Sequence, residues 1–245
     1  MGEERGRGEA FTLIRLHVVA EGQTEEGFVN EILGPALAAQ NVFVDVHCIT
    51  TGRHRGTAFR GGLMAYEHLA RDLTLWMKQD QKAESWFTTM VDFYALPGDF
   101  PGLTAPTQTL GSPDRVAALE AALHEDMVTR LAGLPVAQRF IPYIQLHEFE
   151  ALLFADPEAF LEAFPDGTDA VSKLTAIRKN FINPEDIDDK PQTAPSRRIL
   201  ALLPDYQKPV AGLLIAQRIG LDAIRPACPH FSAWIVRLLA LTGTP

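Results

Sequence analysis

Three apolar runs in this chain stop at carboxylates. "HVVAEGQTEE" ends one run at Glu21 and sets Glu25 four residues further on; "TTMVDFYALPGDFPG" ends another at Asp92, with Asp99 in the turn-forming segment behind it; "IPYIQLHEFEALLF" closes a third with Glu148 and Glu150. A carboxylate at the end of a buried strand needs a cation or hydrogen-bond donors, because an unpaired charge is costly to bury. Acids converging from several strand ends suit Mg²⁺ or Mn²⁺, hard cations that take carboxylate oxygens and keep several waters. Glu21, Glu25, Asp92, Asp99, Glu148 and Glu150 are the candidate ligands. Each position also has a bland reading. Glu25 and Glu26 fit as first-turn acids favoured by a helix dipole, Asp92 fits as a turn cap, and Glu148 or Glu150 fits as the start of a helix burying Leu152, Leu153 and Phe154, with one of the pair facing outward.

The elements that must position these acids follow from periodicity. FTLIRLHVVA reads as a central strand buried on both faces, VFVDVHCIT and SWFTTMVDFYAL as the second and third strands, and RFIPYIQLHEF as a fourth. Thr24 is placed to cap a helix whose apolar stripe is Phe28, Ile32, Leu33 and Ala36. MAYEHLARDLTLWMKQ is an amphipathic helix, and Pro113 opens another that runs to about Met127. Strands alternating with helices imply an α/β fold with a mostly parallel, Rossmann-like sheet flanked by helices. In such sheets ligands bind beyond the carboxyl ends of the strands, where the acids lie. From about residue 157 the texture becomes helical, so the expected organisation is a leader at 1–10 without order, an α/β domain at 11–156, and a helical portion at 157–245 packed on it.

The segment GRHRGTAFRGG reads as a loop overhanging the same face. Arg53, His54, Arg55 and Arg60 would contact phosphate there, Arg in bidentate fashion, and the glycines would allow close backbone approach. A solvated turn is the alternative. His54 and His147 are candidate proton shuttles, although a lone His is more often structural. In "APSRRILALLPDYQKP", Ser196 precedes a helix with Arg197 and Arg198 in its first turn, where cations oppose the helix dipole and call for an anionic partner. Trp234 in the terminal helix is expected to pack inward.

The 245 residues carry a net charge of -9 and only two cysteines, with no CxxC. That composition argues against a broad phosphate-coating surface, a disulfide framework and a structural zinc. No apolar run is long enough to span a membrane and the N-terminus lacks a signal-type apolar region, so the expected location is cytoplasmic, away from the membrane.

The stretches "VVAEGQTEEGFV", "TTMVDFYALPGDFPG", "IPYIQLHEFEALLFADP" and "YQKPVAGLLIAQRIGLDAIRPACPHFSAWIVRLL" together resemble the bacterial family known as domain of unknown function 4276, from about Leu16 to the C-terminus. That family resembles Toprim-type domains, the α/β catalytic domain shared by topoisomerases, primases and overcoming-lysogenization-defect nucleases. The resemblance implies a metal-dependent nuclease acting on DNA or RNA, working in phage defence with an ATPase partner, since the chain has no GxxxxGK[ST] motif. A homo-oligomer is compatible with it. Glu21 matches the Toprim Glu and Asp92 the first Asp of Asp-x-Asp, but Tyr94 stands where the second Asp belongs, and Asp99 is a candidate replacement. Glu25 matches a second Glu of the nuclease branch and Glu148 is the nearest match to its later acid. Lys208 or Lys190 would supply the Lys that completes that site. Two alternatives stand beside the nuclease: a non-catalytic nucleotide- or nucleic-acid-binding regulator with a degenerate site, and a small-molecule phosphohydrolase.

Overall fold

The computed structural model describes residues 13–54, 57–60, 63, 65–108, 111–187 and 193–243. The expected leader at 1–10 lies outside them. In chain order the regular elements are β1 (Ile14–Ala20), α1 (Gln23–Phe28), a π-helical continuation (Val29–Leu33), α2 (Gly34–Ala38), β2 (Val42–Cys48), β3 (Thr50–His54), β4 (Thr57–Arg60), α3 (Tyr66–Gln79), β5 (Ser85–Asp92), α4 (Ala105–Gln108), α5 (Ser112–Arg130), β6 (Phe140–Ile141), β7 (Ile144–Gln145), α6 (Glu150–Leu153), α7 (Thr168–Arg178), α8 (Pro195–Leu202), α9 (Leu213–Ile219), α10 (Leu221–Ala227) and α11 (Pro229–Leu239). The main sheet has the order β2-β1-β5-β6, with β7 pairing β5 beyond β6, and every pairing in it is parallel. The α/β class read from the sequence is the fold observed.

Alternation along β1 divides the core in two, because successive side chains of a strand point to opposite faces. Ile14, Leu16 and Val18 join one core with Phe28 and Leu33 and with Val171, Ile199, Ile215, Phe231 and Trp234 of the C-terminal helices. Val19 joins the other with Phe87 and Val91, covered by Leu69, Leu73 and Met77 of α3 and Leu119, Leu123 and Met127 of α5. The C-terminal helices are therefore the cover of one sheet face. Trp234 packs inward as expected, stacked on Tyr143 with ring centroids 4.1 Å apart.

Four local expectations change. The first helix begins at Gln23, one residue before Thr24, so Gly22 takes the cap position and Thr24 is buried. Its apolar stripe also shifts. The π-helical turn inserts a residue relative to α-helical spacing, so Phe28, Leu33 and Leu37 face the core while Ala36 is exposed. The segment after β2 holds the antiparallel ribbon β3-β4 instead of an unstructured loop. The fourth strand is split into β6 and β7 around Pro142, which has no N–H to give a ladder. Across the break the Thr89 hydroxyl serves both polar groups of Tyr143, accepting from its N–H at 2.9 Å and donating to its C=O at 2.9 Å. Trp234 Nε1 donates to the neighbouring Thr88 hydroxyl at 3.0 Å. Cys48 and Cys228 are both buried, and neither is in a disulfide.

Because Thr89 and Tyr143 are fully buried or nearly so, Thr89→Val would strand an N–H and a C=O away from water, at about 1–3 kcal/mol for each unsatisfied group. Urea denaturation should show Thr89→Val destabilised by about 2–4 kcal/mol, with Thr89→Ser close to wild type; equal stability of the Val variant would refute this role.

Candidate carboxylate and lysine site

The parallel register of β1 and β5 pairs Ala20 with Met90, so the residues that follow leave the sheet side by side. The Glu21 N–H donates to the Met90 C=O at 3.0 Å, and the Asp92 N–H donates to Glu21 Oε2 at 3.0 Å. Gly22 then turns the chain into α1, whose first turn brings Glu25 back over the strand ends, 3% exposed. Beyond β7, His147 adopts a left-handed backbone, φ 61°, a conformation that costs a non-glycine residue free energy. Its C=O accepts from the Tyr94 N–H at 3.0 Å. That turn redirects the chain so that Glu150, the first residue of α6, is buried toward the other acids.

The counter-charge comes from far along the chain. Lys208 opens a second π-helical segment, Lys208–Gly212, which packs against α1. Its Nζ lies 2.7 Å from Asp92 Oδ2, 3.1 Å from Glu25 Oε1 and 3.4 Å from Glu150 Oε2. The Tyr206 hydroxyl lies 3.5 Å from Glu150 Oε1. Gly212 makes that approach possible, since a Cβ there would stand 2.7 Å from the Tyr206 hydroxyl. Glu148, half-buried, faces the N-terminus of α8, where its Oε1 accepts from the Ser196 N–H.

Burial and mutual repulsion set the protonation. Burial pushes the Glu21 carboxyl up, helped by Glu25 and opposed by the Asp92 N–H. Burial likewise raises Asp92 well above the carboxylate range, with Lys208 pulling it down and Glu25, Glu21 and Glu150 pushing it up. Burial lifts Glu150 to about 7 against the pull of Lys208. Lys208 itself is disfavoured by burial as an ammonium, but Asp92, Glu25 and Glu150 more than offset this and hold it charged. One ammonium thus faces more carboxylate charge than it can neutralise. Asp92 Oδ1 is buried with no hydrogen-bond partner.

A family model for a domain of unknown function, DUF4276, matches residues 20–239, from the last residue of β1 to the last of α11. The chain belongs to this family. No curated protein and no solved structure matches it. The matched stretch of this DUF4276 protein contains Glu21, Glu25, Asp92, Glu148, Glu150 and Lys208.

Of the residues singled out from the sequence, Glu21, Glu25, Asp92, Glu150 and Lys208 are brought together, with Glu148 beside them. Asp99 is not. Its Oδ1 accepts from the Tyr66 N–H at 3.1 Å, which ties it to the start of α3. Of the phosphate-binding candidates, Arg53 and His54 lie in β3 and Arg60 in β4, with their side chains outside the described residues, as are Arg55 and Lys190 altogether. His147 is buried, its Nε2 2.8 Å from the Glu185 C=O, which makes it part of the framework. Of the C-terminal arginines, Arg198 Nε donates to the Thr193 C=O at 2.6 Å and Arg197 is exposed. Glu148 meets the α8 N-terminus through Ser196. Tyr206 was missed; an aromatic two residues before Lys208 amid turn formers was its one sequence signal. No helix of the described residues is long and apolar enough to cross a membrane.

Among the described residues no group of three or more His, Cys, Asp or Glu is arranged to hold a metal ion as it stands; Lys208 stands between the acids. The donor set nevertheless suits a hard cation, since carboxylate oxygens exceed the available ammonium and one of them, Asp92 Oδ1, is orphaned.

The raised Glu150 has a sign-definite consequence for stability. The folded state retains a proton that the unfolded chain loses at 4.5, so its contribution is complete below about 4.5 and disappears as pH rises through about 7. That contribution is about 3 kcal/mol at most. Glu150→Gln should remove this part of the fall in urea-unfolding stability between about pH 5 and about pH 8; an unchanged fall would contradict the assignment.

Proposed function

We propose that this protein is a divalent-metal-dependent phosphodiesterase of the nuclease kind. The observation that carries this reading is the convergence of Glu21, Glu25, Asp92 and Glu150 at the carboxyl ends of parallel strands, with a single ammonium among them. Glu21, Glu25, Asp92 and Glu150 would hold Mg²⁺ or Mn²⁺, with Glu148 adjacent. The ion would supply Lewis acidity toward a phosphoryl oxygen and a water of lowered pKa. Hydrolysis would join a water oxygen to phosphorus and break the phosphorus–oxygen bond to the leaving group, the proton lost by the attacking water balancing the one gained by the departing oxygen. Lys208, whose side chain is 30% exposed, offers its positive charge to the phosphate, and phosphoryl transfer depends chiefly on such charge neutralisation and positioning. The ribbon β3-β4 follows the edge strand β2; Arg53, His54, Arg55 and Arg60 belong to the same proposal as phosphate contacts. An ATPase partner and a role in phage defence belong to it as well, through the family's resemblance to Toprim-type nucleases.

A second reading rests on Lys208. Its ammonium already engages three carboxylates, and a site compensated in this way, with Tyr94 in place of an acid, would suit a regulator that binds nucleotide or nucleic acid without cutting it.

Cleavage of single- and double-stranded DNA and RNA in Mn²⁺ separates the two. The nuclease reading expects wild-type cleavage that falls by about a thousandfold or more in Asp92→Asn and Glu21→Gln, with both variants retaining the wild-type circular dichroism spectrum. Undiminished rates in either folded variant would remove these residues from the reaction.

A further inference from the structure

We propose that Phe93 and Tyr94 form a stacking platform for the bases of a short single-stranded nucleic acid at the edge of the carboxylate site. The proposal rests on the nuclease reading for its substrate class, but not on catalysis itself. The two residues directly follow Asp92, in the 3₁₀ turn Phe93–Ala95 that ends β5. Their rings lie 5.8 Å apart at an interplanar angle of 31°. On one side the Arg115 guanidinium sits over the Phe93 ring at 5.0 Å. On the other, His147 lies 5.5 Å from the Tyr94 ring. Tyr94 is 37% exposed, and the turn carrying it is anchored by its own N–H to the His147 C=O.

Single exposed aromatics need no explanation. Here, however, the exposed Tyr94 ring adjoins the partly buried Phe93 ring immediately after a site acid, with a guanidinium against Phe93 and the buried His147 imidazole behind Tyr94, and the turn is held by a backbone hydrogen bond. Rigid aromatic faces of this kind bind bases of any sequence, and arginine adds to the stack. Charge decides between duplex and single strand. Duplex binding draws its affinity from many phosphate contacts, for which a chain of net charge -9 is poorly provided. A single strand held through its bases needs fewer. Stacking would also splay the strand so that an adjacent phosphate meets Lys208 and the acids.

The test is fluorescence anisotropy of a short fluorescein-labelled oligothymidylate, with a labelled duplex as comparison, in Ca²⁺ and again in EDTA. Wild type should bind the single strand more tightly than the duplex. Tyr94→Leu should weaken single-strand binding about tenfold, and Tyr94→Phe should restore it. Phe93→Leu should weaken it in the same direction. Preference for the duplex, equal binding by Tyr94→Leu, or no binding by the wild type in either buffer would overturn the platform. The two proposals fail separately: Tyr94-dependent binding with no Mn²⁺-dependent cleavage sinks the nuclease and keeps the platform, whereas cleavage with Tyr94-independent binding does the reverse.

Discussion

Glu25, Asp92 and Glu150 lie almost wholly out of water, Glu21 is partly buried beside them, and Lys208 is the ammonium among them. Moving a carboxylate out of water costs several kcal/mol, and the attraction of a nearby ammonium returns this only with good geometry. Such an arrangement survives because the surrounding fold is rigid enough to hold it. It also makes the site hungry for positive charge. Protons supply some of it, as the upward shifts of Asp92, Glu21 and Glu150 record, and a hard cation would supply more.

Several features of the fold bear on that cluster. The β1–β5 register places Glu21 beside Asp92 and lets one cap the other's N–H. The Thr89–Tyr143 hydrogen bonds carry the sheet across Pro142 to β7, and the left-handed His147 turns the chain back toward Glu150. The C-terminal helices cover one face of the sheet and deliver Lys208 and Tyr206. The site is thus assembled from segments more than a hundred residues apart, and the packing of the C-terminal portion is a condition of its existence, since Asp92 and Lys208 are separated by 116 positions.

Much of this was legible in the sequence for physical reasons. β1 and β5 are apolar runs buried almost throughout, and the acids at their ends announce themselves because burial makes an unpaired carboxylate conspicuous. The parallel α/β arrangement follows from the alternation of strand and helix. Lys208 differs: no pattern in its own neighbourhood marks it, and only the family resemblance points to it, alongside Lys190. Asp99 shows the opposite limit. It lies among turn formers, is a candidate as the replacement for a missing family acid, and serves the start of α3. The π-helical turns and the role of the Thr89 hydroxyl leave no local mark in the sequence, and the Tyr206 approach to Glu150 leaves only an aromatic close before Lys208. Each is selected by a partner distant in sequence, and periodicity reports only on neighbours.

The central claim is that these strand-end carboxylates form a cation site centred on Asp92. Calorimetric titration of Mn²⁺ into the purified protein and into folded Asp92→Asn tests it most directly. The account expects saturable binding to the wild type, weakened about tenfold or more by Asp92→Asn. Absence of binding to the folded wild type, or binding indifferent to Asp92→Asn, would contradict it.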